Sequence, residues 1–175
     1  MRQRGDALLP ANVVLGRIVR AVDFERVLKT VTQSRSPHFA VHHLGSTPSR
    51  SSKAPIAATA TDTDIELSTA TDTRVATAVD DPAAIGVWLG MVVPKRHAKR
   101  SVTRTLLKRH IKAAMLRQLG QFGTASPAAG LWVVRLRAPF DRASFPSAAS
   151  AALAEAAAAE LGRVLDAAML RLRNA

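Results

Sequence analysis

The 175-residue chain has no cysteine. Disulfide staples, cysteine-ligated zinc and a thiol nucleophile are therefore excluded, in keeping with a reducing compartment. It also lacks any run of 18 or more uncharged apolar residues, so no segment is long enough to span a bilayer as a helix. The N-terminus carries Arg2, Arg4, Arg17 and Arg20 but not the long apolar stretch of a secretory signal, and the chain reads as a soluble, cytoplasmic protein. Large apolar side chains are sparse, because alanine supplies much of the 47% hydrophobic content, and this predicts a modest core. Acids are scarce too: 13 Asp+Glu stand against 25 Lys+Arg, a formal net charge of +12. A balance that basic points to a polyanionic partner, either nucleic acid or an anionic membrane surface.

Length and patterning predict one domain. Residues 1–15 show no periodicity and read as a flexible tail ahead of a domain at 16–175. Val22, Val27, Leu28 and Val31, with Phe24, predict a short helix that ends at Ser36-Pro37. His38 to Leu44 reads as a strand. Residues 46–84 change character, being rich in Thr, Ala, Ser and Asp and poor in large side chains, and they read as a flexible insert. Gly86 to Val93 is a continuous apolar run stopped by Pro94, and Leu131 to Arg137 is a second one stopped by Pro139; both predict buried strands. Between them Ala98 to Leu119 carries a long helical signal. Pro146 and Ser147 open a terminal Ala-rich helix to about Leu172, with Leu161, Val164, Leu165, Ala168 and Leu172 on one face. The order is α-β-(insert)-β-α-β-α, which predicts a single α+β sandwich of helices against a sheet.

The segment from Lys95 to Arg117 holds nine Lys/Arg and no acid. Placed on a helix at about 100° per residue, Arg104, Lys108, Arg109 and Lys112 share one sector. Val102, Leu106, Leu107, Ile111, Ala113 and Ala114 fill the other half. An ordinary solvated face would intersperse glutamates, since like charges at i, i+4 repel by roughly 0.2–0.5 kcal/mol per pair. Arg104, Lys108 and Lys112 repeat at that spacing uncompensated. Phosphates that release counterions on binding would supply the missing charge.

Leu89-Gly90-Met91-Val92-Val93-Pro94-Lys95-Arg96, followed at once by the basic helix, resembles the protein component of bacterial ribonuclease P. That family has a hydrophobic strand ending in a basic pair, then a helix opening on an Arg-Asn-Arg signature. Arg104 matches its first Arg, Lys108-Arg109 its following Lys-Arg, and Lys112 a common further Arg. Thr105 and Leu106 depart from the signature, standing where it has Asn and its second Arg. The resemblance covers roughly residues 17–44 and 86–172. It implies a sheet of about four strands with a left-handed βαβ crossover and an RNA-binding domain at 16–175. It further implies a catalytic RNA partner that removes the 5′ leader of precursor tRNA, with Mg²⁺ held mainly by the RNA. The protein subunit itself would be non-catalytic. Lys95, Arg96, Lys99, Arg100, Arg104, Lys108, Arg109 and Lys112 would meet the RNA subunit. Phe24, Leu28, Phe39 and His42 would line a leader-binding cleft, where aromatic faces stack on unpaired bases with little sequence preference.

The remaining reactive side chains point to no protein-borne active site. His38, His42, His43, His97 and His110 lack metal-ligand spacing. Ser101 and Thr103 have no neighbouring His/Asp arrangement to make a nucleophile. Trp88 and Trp132 sit on the two apolar strands and are expected in the core. A ribosomal or RNA-chaperone-like protein would share the charge and the small fold. No helix-turn-helix pair or heptads accompany 98–118 as a DNA-binding protein would need. A membrane-surface helix would need the apolar face that the sheet requires.

Overall fold

The computed structural model describes residues 13–49, 85–122 and 129–174. Most of the expected tail and of the expected insert lies outside the described residues. Five strands and three helices follow in the order β1 (Val13–Arg17), α1 (Ala21–Leu28), β2 (Thr32–Arg35), β3 (Phe39–Leu44), β4 (Ile85–Val92), α2 (Ser101–Phe122), β5 (Gly130–Leu136) and α3 (Ala151–Arg173). They form one mixed sheet ordered β1-β4-β5-β3-β2. The three strands β1, β4 and β5 run parallel; β3 is antiparallel to β5, and β2 to β3. The parallel β4-α2-β5 unit is the one the apolar runs and the helical signal between them predict.

The strand count corrects the expectation of about four. The two strands beyond the three placed from sequence lie at sheet edges, where pairing on one side only leaves a weak hydrophobic pattern. In β2, Thr-Gln-Ser-Arg contains no apolar residue, yet Ser34 and Arg35 pair with Val41 and Ala40. In β1, residues 13–15, grouped with the tail on sequence, pair in register with Ile85, Gly86 and Val87. Helix α1 consequently stops at Leu28 rather than continuing to Val31, which is 75% exposed. Its last turn tightens through Thr30 N–H and Thr30 Oγ1, both donating to the Val27 carbonyl, at 3.0 and 2.7 Å. Helix α3 likewise starts later than Pro146-Ser147 suggests, because the cap is Ser150, whose Oγ accepts from Leu153 N–H at 3.1 Å.

Alternation along the strands sorts side chains onto two faces. One face carries Val87 and Leu89 of β4, Trp132, Val134 and Leu136 of β5, and Phe39 and Val41 of β3. It is covered by α2 through Leu107, Ile111, Ala114, Met115 and Leu119, and by α3 through Ala157, Leu161, Val164, Leu165, Ala168 and Met169. The other face carries Leu131 and Val133, packed with Ile18 and with Val27 of α1. Helix α1 lies over β3 and β5. The sheet is thus covered by two helices on one side and by a single short helix on the other, and that asymmetry positions the site.

Candidate nucleic-acid interface

Most of the site residues expected from sequence lie on two surfaces, one on α2 and one beside α1. On α2, Lys108, Arg109 and Lys112 are exposed, as are Lys95, Arg96, Lys99 and Arg100 in the segment leading into the helix. Among the described residues none of these seven pairs with a carboxylate; the ion pairs are Arg26–Asp23 and His38–Glu160. The chain holds no acid at all between Asp81 and Asp141. The positive field of this helix is therefore uncompensated, as a phosphate-facing surface requires.

Arg104 is placed differently from its neighbours. It is half-buried, and its guanidinium donates to the carbonyls of Ala98 and Lys99 at 3.0 and 2.7 Å. It ties down the turn that precedes α2, where Pro94 O also accepts from the His97 and Ala98 N–H groups. The apolar half of the helix is rotated relative to the sequence expectation. The buried arc runs through Leu107, Ile111, Ala114, Met115 and Leu119, whereas Val102 is 55% exposed and Ala113 faces outward. The arc shifts because α2 packs against both α3 and the sheet. That double packing brings Arg104 to the edge of the buried arc and Val102 out of it.

Beside α1, Phe24 and Leu28 are half-buried and pack on Ile18, Val27, Leu131 and Val133, with Leu44, Trp88 and Val92 on the same face. Gly90 makes the close approach possible: a Cβ there would stand 2.5 Å from Phe24 Cε1 and 3.2 Å from Ile18 Cδ1. His42 lies on this face and is nearly buried; its Nδ1 is 3.2 Å from the Thr30 carbonyl. Burial disfavours its charged form and lowers its pKa, the Thr30 carbonyl opposes that shift, and the charge of Arg135 adds to it. His42 is thus a neutral imidazole at pH 7.

Phe39 does not join this group. It is fully buried on the opposite face, its ring 6.0 Å from that of Phe140. The reason is the two-residue period of β3, which sends Phe39 and Val41 to the α2/α3 side and His42 to the α1 side. Two residues not singled out as site residues do line the α1 face. Arg135 alternates with Val134 and comes close enough to His42 to depress its pKa, placing a cation on this face. Trp88, expected in the core, is only half-buried, and its indole lies flat over the backbone of Gly16 and Gly86. A Cβ at either glycine would come within 2.5 Å of that ring. Strand alternation was the available signal for both, since each is an even or odd step from a neighbour whose side is evident.

Of the other histidines, His43 and His38 are tied into the fold. The His43 Nε2 lies 2.9 Å from the Ala129 carbonyl and its ring packs on Trp132 at 4.5 Å. His38 Nδ1 lies 2.8 Å from Glu160 Oε2. His97 accepts at Nε2 from Arg96 Nε at 3.1 Å. Desolvation and then Arg117 lower the pKa of His110. Among the described residues no group of three or more His, Asp or Glu side chains is placed to hold a metal ion, and no helix is long and apolar enough to cross a membrane.

Comparison with known proteins identifies the family. No solved structure matches the chain. The ribonuclease P protein component of Burkholderia pseudomallei (strain 1106a) is 43% identical over 87 residues, which is 49% of this chain and 59% of that protein. The ribonuclease P protein component of Burkholderia mallei (strain SAVP1) is 42% identical over the same length, with the same coverage. The matched segment therefore spans less than two thirds of these relatives. The profile of the Ribonuclease P family matches residues 15–158, which takes in every strand but the start of β1, the basic helix and the first part of α3. On that match the chain belongs to the Ribonuclease P family.

Proposed function

We propose that this chain is the protein subunit of a ribonuclease P, which assists a catalytic RNA in removing the 5′ leader from precursor tRNA. The observation that carries the reading is a cationic helix with no carboxylate partner among the described residues, set on a fold whose other face carries the half-buried Phe24 and Leu28 beside Trp88. Lys95, Arg96, Lys99, Arg100, Lys108, Arg109 and Lys112 neutralise phosphates of the RNA subunit. Arg104 holds the turn that presents them. Releasing the counterions condensed on those phosphates supplies affinity without reading sequence.

The cleft takes the leader. Phe24 offers a ring to an unpaired base, Leu28 and Val92 flank it, and Arg135 meets a backbone phosphate. Neutral His42 completes the floor without adding charge. Contacts of this kind tolerate any base, as a leader that differs from one precursor to the next requires. Magnesium ions bound by the RNA supply the chemistry of cleavage, and the protein supplies position and charge.

The test is leader cleavage by the RNA alone, the protein alone and the two together, at low and high magnesium. The protein alone cleaves nothing and the mixture outpaces the RNA most at low magnesium, where the added positive charge matters most. Cleavage by the protein without RNA, or no stimulation at any magnesium level, refutes the proposal. A general RNA chaperone would bind leaderless and leader-bearing tRNA equally well, so the binding ratio between them separates the two.

A further inference from the structure

Strands β4 and β5 are parallel neighbours, so the segments that leave their C-terminal ends, 93–100 and 137–150, lie side by side. In open parallel sheets the crevice beyond the carboxyl ends of the strands is where ligands are commonly held. Here it encloses a cavity of about 670 Å³ on the α2/α3 side of the sheet. Its floor is apolar, made by Leu107, Leu153, Phe140 and Phe145, and its rim is cationic, with Arg96, Lys99, Arg100 and Arg142. Asp141 is the one carboxylate among the lining residues. It is turned back on its own loop, accepting from Ala143 N–H, Ser144 N–H and Ser144 Oγ at 3.2, 3.1 and 2.9 Å.

The wall is held in place in advance. Glu160 Oε2 lies 2.8 Å from His38 Nδ1, the His38 ring stacks on Phe140 at 4.0 Å, and Phe140 meets the edge of Phe145 at 5.7 Å. A preformed apolar slot with a cationic mouth matches a planar, uncharged ring system carrying an anionic group at its edge. That description is an unpaired nucleotide, its base in the slot and its phosphate at the rim.

We infer that this cavity captures an unpaired nucleotide of the RNA subunit, at a place separate from the leader cleft on the opposite face of the sheet. The inference rests on the reading above that α2 faces that RNA. Continuity assigns the source: Lys99 and Arg100 belong both to the cavity rim and to the basic run that leads into α2. An RNA lying along Lys108 and Lys112 reaches the cavity by following the helix toward its N-terminus.

The experiment compares wild type, Ala148→Trp, which fills the cavity, and Arg142→Ala, an exposed change on its rim. The full chain is bound to ribonuclease P RNA, with thermal melts to confirm folding. Ala148→Trp is expected to weaken binding roughly 5- to 150-fold, the range that loss of one stacked base carries. Arg142→Ala is expected to lower the salt slope of binding by about 0.7, as for one single-strand phosphate. Chemical probing of the RNA should find a base protected by wild type and reactive in the Ala148→Trp complex. Wild-type affinity in both variants overturns the inference. So does a loss of discrimination between leader-bearing and leaderless tRNA with affinity for the RNA subunit unchanged, which would seat the leader here instead. Failure of the wild-type chain to bind the RNA is a different result, and it removes the functional reading itself.

Discussion

Replacing Lys108, Arg109 and Lys112 together with alanine removes three exposed cations from the outward side of α2 and touches nothing in the core. If each neutralises one phosphate, the slope of log affinity against log salt falls by roughly 0.7–0.9 per residue, or about 2.1–2.7 for the three. Between 50 and 200 mM salt, a change of about 0.6 in log concentration, wild type would then lose about 20–40-fold more affinity than the variant. Stability should hold or rise slightly, because the Lys108–Lys112 repulsion is removed and alanine favours helix. Arg104→Ala separates the two roles. Its guanidinium is engaged by the Ala98 and Lys99 carbonyls, so its loss should cost about 1–3 kcal/mol of stability while changing the slope little. The assay is filter binding to ribonuclease P RNA over a salt series, beside a thermal melt of each variant. An Arg104→Ala slope reduced as much as that of an outward lysine variant, with stability unchanged, would refute the assignment of roles.

Two further outcomes follow from placements on the sheet. Phe24→Ala should weaken binding of leader-bearing precursor tRNA by ~1–3 kcal/mol and leave leaderless tRNA unaffected. Phe39→Ala should instead cost about 3–5 kcal/mol of folding stability, read by denaturant melts, because its buried ring leaves a cavity. The Glu160 carboxyl feels burial against its charge, but hydrogen bonds from the Ser36 side chain and from the His38 backbone and ring outweigh it and hold its pKa below the usual 4.5. A carboxyl held low in the folded state stabilises the fold above its unfolded pKa and loses that contribution as pH falls through the folded one. Glu160→Gln should therefore be the less stable protein at pH 7, and the gap should close in melts taken below pH 4.5; a gap independent of pH would contradict this.

Elements with strong periodicity were legible from sequence: β3, β4, β5 and the bodies of α2 and α3 lie where the apolar runs put them. The edge strands were not, because Thr32–Arg35 has no apolar residue and the signal of Val13–Arg17 is only Val-Val-Leu before a glycine. Within the site, residue type identified the basic face but not its orientation. An apolar position such as Val102 reads as core until α3 is known to lie along one flank of α2. Arg104 fits the charged pattern equally well whether it faces phosphate or backbone carbonyl, and only the turn before α2 decides. Phe24 and Phe39 look alike in composition, yet the pleat of β3 sends Phe39 to the core, whereas Phe24, carried on α1, stays half-buried on the opposite face.

The two tryptophans sit on opposite sides of one sheet, Trp132 sealed under α2 and α3 and Trp88 half-open beside α1. They make the molecule its own two-channel optical reporter. Trp132 should emit at short wavelength and ignore acrylamide, while Trp88 should emit further to the red and be quenched. An RNA strand entering the α1 side would shield or stack on Trp88 alone, whereas unfolding would move both signals together. Occupancy of one face can thus be followed in the native chain without attaching a dye.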